Sequence, residues 1–117
     1  MTRHDDTARL RHMLDHRREA VAILAGRTRS DLDTDRLLDL SVVRLPEIVG
    51  EAAARMTPEI RDKLANLPWA EIVGLRSRVI HGYDEVDFDI VWETVTADLP
   101  PVLAAIERHL AATSSQG

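Results

Sequence analysis

Apolar residues recur along this chain at steps of three and four, the spacing that lines one face of an α-helix. In "RLRHMLDHRREAVAILAG" the positions Leu10, Met13, Leu14, Val21 and Leu24 share a face, and Gly26 predicts the stop. "TRSDLDTD" reads as a polar connection. From Asp35 the stripe Leu38, Val42, Leu45, Val49, Ala52, Met56 predicts a long amphipathic helix, interrupted by Pro46, which removes a backbone donor and predicts a kink near Val42. Thr57-Pro58 is an N-cap followed by proline at the first helical position, which predicts a short helix to about Ala65. Pro68 opens a further helix through Ile80, and Asp87 caps a last one carrying Phe88, Trp92, Val95, Leu99, Val102, Ile106 and Leu110, with Pro100 and Pro101 off that stripe and bending it. No segment alternates as a strand would. The pattern predicts an all-α fold, an antiparallel up-down bundle of four to five helices, as one domain over 1–117 with a loose tail from about 112 to 117.

Composition narrows the function classes. Absence of cysteine excludes disulfides and thiolate metal sites. No apolar run reaches the ~18 residues of a membrane span, and "MTRHDDTARL" lacks an apolar signal core, so a cytoplasmic protein without membrane contact is expected. A net charge of −5 argues against tight non-specific binding to nucleic acid but leaves room for a local basic cleft. The basic residues are fourteen Arg and one Lys, a bias that GC-rich coding also produces.

Candidate chemistry concentrates in "GLRSRVIHGYDEVD", residues 74–87. On a continuous helix from Trp69 to Ile80, the residues Trp69, Ile72, Val73, Leu75, Val79 and Ile80 fill one arc. Arg76 falls near the middle of that arc, whereas Arg78 falls opposite with Glu71. An arginine on an apolar face is costly unless it pairs with a core carboxylate, here Glu47 or Glu51, or faces a cleft. Gly82 places His81 at the helix C-terminus, where the dipole favours the imidazolium while Arg76 opposes it, a balance that suits proton transfer near neutrality. A guanidinium holding phosphate and an imidazole moving a proton fit phosphoryl chemistry without metal. One copy supplies one histidine from this motif, so a homodimer joined through the Trp69–Ile80 face is expected. His12 and His16 are four apart, as a metal pair would be, but lack a third ligand. "DEVDFD" lacks the glycine of a calcium loop, and no Walker, GxSxG or HExxH motif occurs.

"RSRVIHGY" matches R-x-x-x-x-H-x-Y, and with "EIVGEAA" (47–53), "LPWAEIVGLR" (67–76) and "VDFDIVWETVTADLPPVL" (86–103) the chain resembles the HepT-like toxins of the HEPN superfamily over about 35–110. The resemblance implies a HEPN-like helical bundle that dimerises and cleaves RNA without metal or other cofactor, as the endoribonuclease toxin of a type VII toxin–antitoxin system. It implies Arg76 and His81 as catalytic residues, Ser77 and Arg78 as RNA-binding or supporting ones, and Tyr83 as the position that a cognate MNT-type nucleotidyltransferase antitoxin silences by AMPylation. Ser77 stands where a motif asparagine is frequent and can still hydrogen-bond a phosphate. The competing reading is a non-catalytic binding subunit that only docks such a nucleotidyltransferase and is modified by it.

Overall fold

The computed structural model describes residues 3–81 and 85–116, with side chains for 5–80 and 85–113. Helix α1 (Arg3–Leu24) ends where Gly26 takes a φ of 74°, the left-handed conformation that closes helices, and the Arg27 amide returns to the Leu24 carbonyl. Its inner face is Leu10, Met13, Leu14 and Ala20. Val21, expected on that face, is 60% exposed, because near its C-terminal end α1 turns the small Ala20 inward instead.

The polar connection holds a one-turn helix, α2 (Asp31–Thr34), that the sequence pattern did not reveal; it buries a single apolar residue, Leu32, too few for a periodic signal. Asp35 then caps α3 (Arg36–Ala54), its carboxylate accepting from the Leu38 amide at 3.1 Å. Leu38, Val42, Leu45, Val49, Ala52 and Met56 are all buried, as the stripe requires, and α3 passes through Pro46 as one helix with the proline ring packed inside.

Helix α4 (Pro58–Lys63) starts at Thr57, whose hydroxyl accepts from the Ile60 amide. The next helix is not continuous. It is α5 (Trp69–Val73) and α6 (Leu75–Val79), hinged at Gly74, whose ψ of 2° departs from the helical value of about −42° and shifts the angular phase of everything after it. Both pieces pack on α3.

A strand pair follows where none was expected. β1 (Ile80–His81) pairs antiparallel with β2 (Glu85–Val86), Ile80 opposite Val86 and His81 opposite Glu85. Two residues per strand are too few for an alternating pattern to be read. Asp87 closes the hairpin base through its amide to the Val79 carbonyl at 2.8 Å and caps α7 (Phe88–Glu93) through its carboxylate. A π-helical turn (Thr94–Asp98) separates α7 from α8 (Leu99–Gln116), the Leu99 amide reaching the Thr94 carbonyl five residues back. Pro100 and Pro101 follow directly: neither ring nitrogen can donate, and both sit in the first turn of α8, where donors are not needed. The backbone is helical to Gln116. The core lies between α1, α3 and α8, with α5 and α6 laid across the second half of α3. No helix among the described residues is long and apolar enough to cross a membrane.

Candidate functional site

The hinge at Gly74 decides where Arg76 goes. Ile72, Leu75 and Val79 enter the core at 3%, 4% and 0% exposure, so most of the expected apolar arc is spent inside the chain's own fold rather than presented to a second copy. Arg76 leaves that arc and is exposed. The alternative of a buried Arg76 neutralised by Glu47 or Glu51 is thereby removed. Those two carboxylates lie in the same groove but go to other partners, Glu47 to Arg44 at 3.9 Å and Glu51 to Arg55 at 3.2 Å. Among the described residues Arg76 has no ion-pair partner.

The groove has a volume of about 510 Å³ and is lined by Arg44, Glu47, Gly50, Glu51 and Ala54 of α3, Val73 of α5 and Arg76 of α6. It exists because α3 carries glycine at position 50, directly under the α5–α6 junction. Arg44, the second guanidinium in the groove, was not singled out from sequence. Helical spacing does place Arg44, Glu47 and Glu51 together on the polar side of α3, but periodicity cannot say which neighbouring element will face them.

The other motif residues separate. Ser77 and Arg78 are exposed, and Arg78 reaches Asp98 of the π turn at 3.4 Å, on the rim of a different groove between α6 and α8. His81 is not at a helix C-terminus. The helix ends at Val79, Ile80 is extended (φ −106°, ψ 118°), and the His81 backbone belongs to β1, so the helix-dipole argument for its charge does not apply. What fixes its backbone is the hairpin, anchored by fully buried Val79 on one side and by Asp87 on the other. The His81 side chain and residues 82–84, Tyr83 among them, lie outside the described residues.

His12 and His16, considered from sequence as a metal pair, bond to each other, Nε2 to Nε2 at 3.1 Å, and no group of three metal-ligating side chains occurs among the described residues.

Comparison with known proteins agrees with the all-α fold. The family model described as ribonuclease HepT-like matches residues 11–109. A protein of Caldanaerobacter subterraneus subsp. tengcongensis named "Putative RNase" is 35% identical over 86% of this chain and 90% of its own length. A "Putative RNase" of Methanocaldococcus jannaschii is 29% identical over 92% of this chain and 98% of its own. A "Probable ribonuclease HepT" of Thermococcus cleftensis is 30% identical over 77% and 86%. No solved structure matches at a significant level.

Proposed function

The chain belongs to the ribonuclease HepT-like family, and from that membership we propose that it is a metal-independent endoribonuclease, the toxin of a type VII toxin–antitoxin pair, acting through Arg76 and His81. The observation that carries the reading is the state of Arg76: exposed, without a carboxylate partner among the described residues, and seated in a groove one turn of helix before the hairpin that holds His81. A structural arginine would have taken Glu47 or Glu51, both within its groove.

Each group has a defined task in this mechanism. The ribose 2′-oxygen loses its proton to an imidazole and attacks phosphorus. The phosphorus–5′-oxygen bond breaks, and the leaving oxygen receives a proton from an imidazolium. Arg76 holds the non-bridging oxygens and offsets charge that grows on them in the transition state. The motif supplies one histidine per chain for two proton transfers, so the reading includes a homodimer that brings two motifs to one RNA. The adenylylated form is inactive because a phosphate attached to Tyr83 competes for the Arg76 guanidinium and repels the RNA backbone.

Purified wild type, Arg76→Ala and His81→Ala, assayed on RNA with and without EDTA, test this. His81→Ala loses about 10²–10⁴ in rate, and Arg76→Ala loses about 10²–10³. Arg76→Ala keeps its unfolding free energy within about 0.5 kcal/mol of wild type, as an exposed residue should. Cleavage that EDTA stops, or that survives in His81→Ala, rejects the mechanism.

A further inference from the structure

The Arg76 groove does not end at Arg44. A second groove of about 420 Å³ opens between α1 and α3 and shares Arg44 and Glu51 with the first. Its walls are Arg9, His12 and His16 from α1, Arg44 from α3 and Arg55 at the C-cap of α3, with Ile48 and Ala52 between them as an apolar floor. We propose that this α1–α3 groove is a binding site for the phosphodiester backbone of single-stranded RNA, leading the strand into the Arg76 site; it rests on the ribonuclease reading for its substrate.

Spacing and charge together favour a chain of phosphates over a single anion. Arg44 lies within α3 and Arg55 is its C-cap residue, eleven positions on and about 16 Å along the axis at 1.5 Å per residue, and Arg9, His12 and His16 run alongside on α1. A single phosphate would need a tight nest of donors; a strand needs cations strung along a path with apolar surface between them for ribose and base faces. The whole chain carries a charge of −5, which repels RNA, so binding needs a local strip of this kind. Three guanidiniums line the groove, and the carboxylate nearest each, Glu51, Glu47 and Asp6, stands 3.2 to 3.9 Å away, so RNA phosphates must compete with these acids for them.

The Arg44 and Arg55 guanidiniums are available, whereas Arg9 is mostly covered, its side chain 22% exposed. Arg55 shares Glu51 at 3.2 Å, but these side chains are 59% and 66% exposed, and an ion pair in that much water holds its arginine weakly. Arg44 is 3.9 Å from Glu47 and Arg9 is 3.8 Å from Asp6, whose oxygens already accept from Thr57. The histidines form a fixed wall. Their Nε2 atoms are 3.1 Å apart, and the Glu19 carboxylate lies 3.4 Å from His16 Nδ1.

The test uses the full chain with a fluorescent single-stranded RNA, measuring affinity across a salt series in a His81→Ala background and KM against kcat in the active protein. Arg9→Gln/Arg55→Gln, neither of which lines the Arg76 groove, is expected to weaken binding about tenfold at low salt. It should also flatten the slope of log affinity on log salt by about 0.7 for each lost contact. KM should rise while kcat stays unchanged, since uniform binding is what is removed. Arg55→Lys restores part of the affinity, and thermal melts verify that the variants are folded. Binding that depends on the groove in a protein that cuts nothing supports the groove and rejects the catalytic reading. Variants that bind and cut like wild type overturn the groove and leave the catalytic reading standing, pointing instead to an acidic protein surface as what the cations face. A wild type that neither binds nor cuts RNA overturns both.

Discussion

Gly50 of α3 lies so close under the backbone of Ile72 that a Cβ at position 50 would stand 3.1 Å from the Ile72 carbonyl oxygen and 3.4 Å from that of Val73. Both atoms are backbone and cannot swing aside. A side chain at position 50 therefore pushes the α5–α6 junction, and Arg76 with it, away from α3.

Substitution at this position separates helix propensity from packing. Gly50→Ala gains about 1 kcal/mol in propensity inside a helix and loses a similar amount to the contact, so stability should change little while RNA cleavage falls. Gly50→Val gains less propensity and overpacks more, and should lose about 2–3 kcal/mol, seen as a thermal midpoint lower by on the order of 10 °C. A valine variant that melts like wild type would show that the junction is not held where the close approach implies.

The link between α1 and α4 rests on a buried acid. Asp6 is 2% exposed, and its carboxylate accepts from the Thr57 amide at 3.1 Å and from the Thr57 hydroxyl, which in turn caps α4. Asp6→Ala leaves two donors of Thr57 without their acceptor and should cost about 2–3 kcal/mol, with Asp6→Asn between the two. Urea unfolding measures this directly. An alanine variant with the wild-type midpoint would mean that solvent replaces the carboxylate, contrary to its burial.

The parts of this fold that were legible from sequence are those set by many residues acting together. The α3 stripe is one, since six apolar positions in phase bury as a unit whatever the detail. Caps at Asp35, Thr57 and Asp87 are another, because each rests on a side chain and an amide two or three residues away. What escaped depends on one or two residues. A single ψ at Gly74 carries Arg76 from the centre of an apolar face to solvent, where it has no ion-pair partner among the described residues. The two-residue strands β1 and β2 carry no periodic signal, so the sequence predicts a helix end at His81 that the backbone does not have. Arg44 and the α1–α3 groove are tertiary facts, since helical spacing gives the face of each helix but not which faces meet.

Silencing at Tyr83 can be tested without knowing how that side chain lies. The chain has one tyrosine, and the motif places it two residues after His81. Incubation with a cognate nucleotidyltransferase and ATP should add the mass of AMP to wild type and not to Tyr83→Phe, and the modified protein should lose RNA cleavage. Modification that persists in Tyr83→Phe rejects the assignment of the tyrosine. Modified protein that still cuts RNA rejects the silencing.

The dimer proposal now rests on the chemistry of the site more than on a hydrophobic face. Ile72, Leu75 and Val79 are committed to the core, and of the expected arc Val73 is left 37% exposed, beside Arg76 in the same groove. If two motifs share one RNA, this surface must be near the two-fold axis, and a charge placed there should be tolerated by the monomer but not by the pair. Light scattering at micromolar concentration should give about twice 13.1 kDa for wild type and a monomer mass for Val73→Glu, with an unchanged melt and lost cleavage. The larger exposed apolar residues, Leu37 at 78% and Leu40 at 53%, sit toward the other end of α3 and offer a second location. A dimer that withstands Val73→Glu but separates in Leu40→Glu would move the interface away from Arg76, and the composite site would then be wrong. A wild-type monomer that cleaves RNA would remove the need for a second histidine altogether.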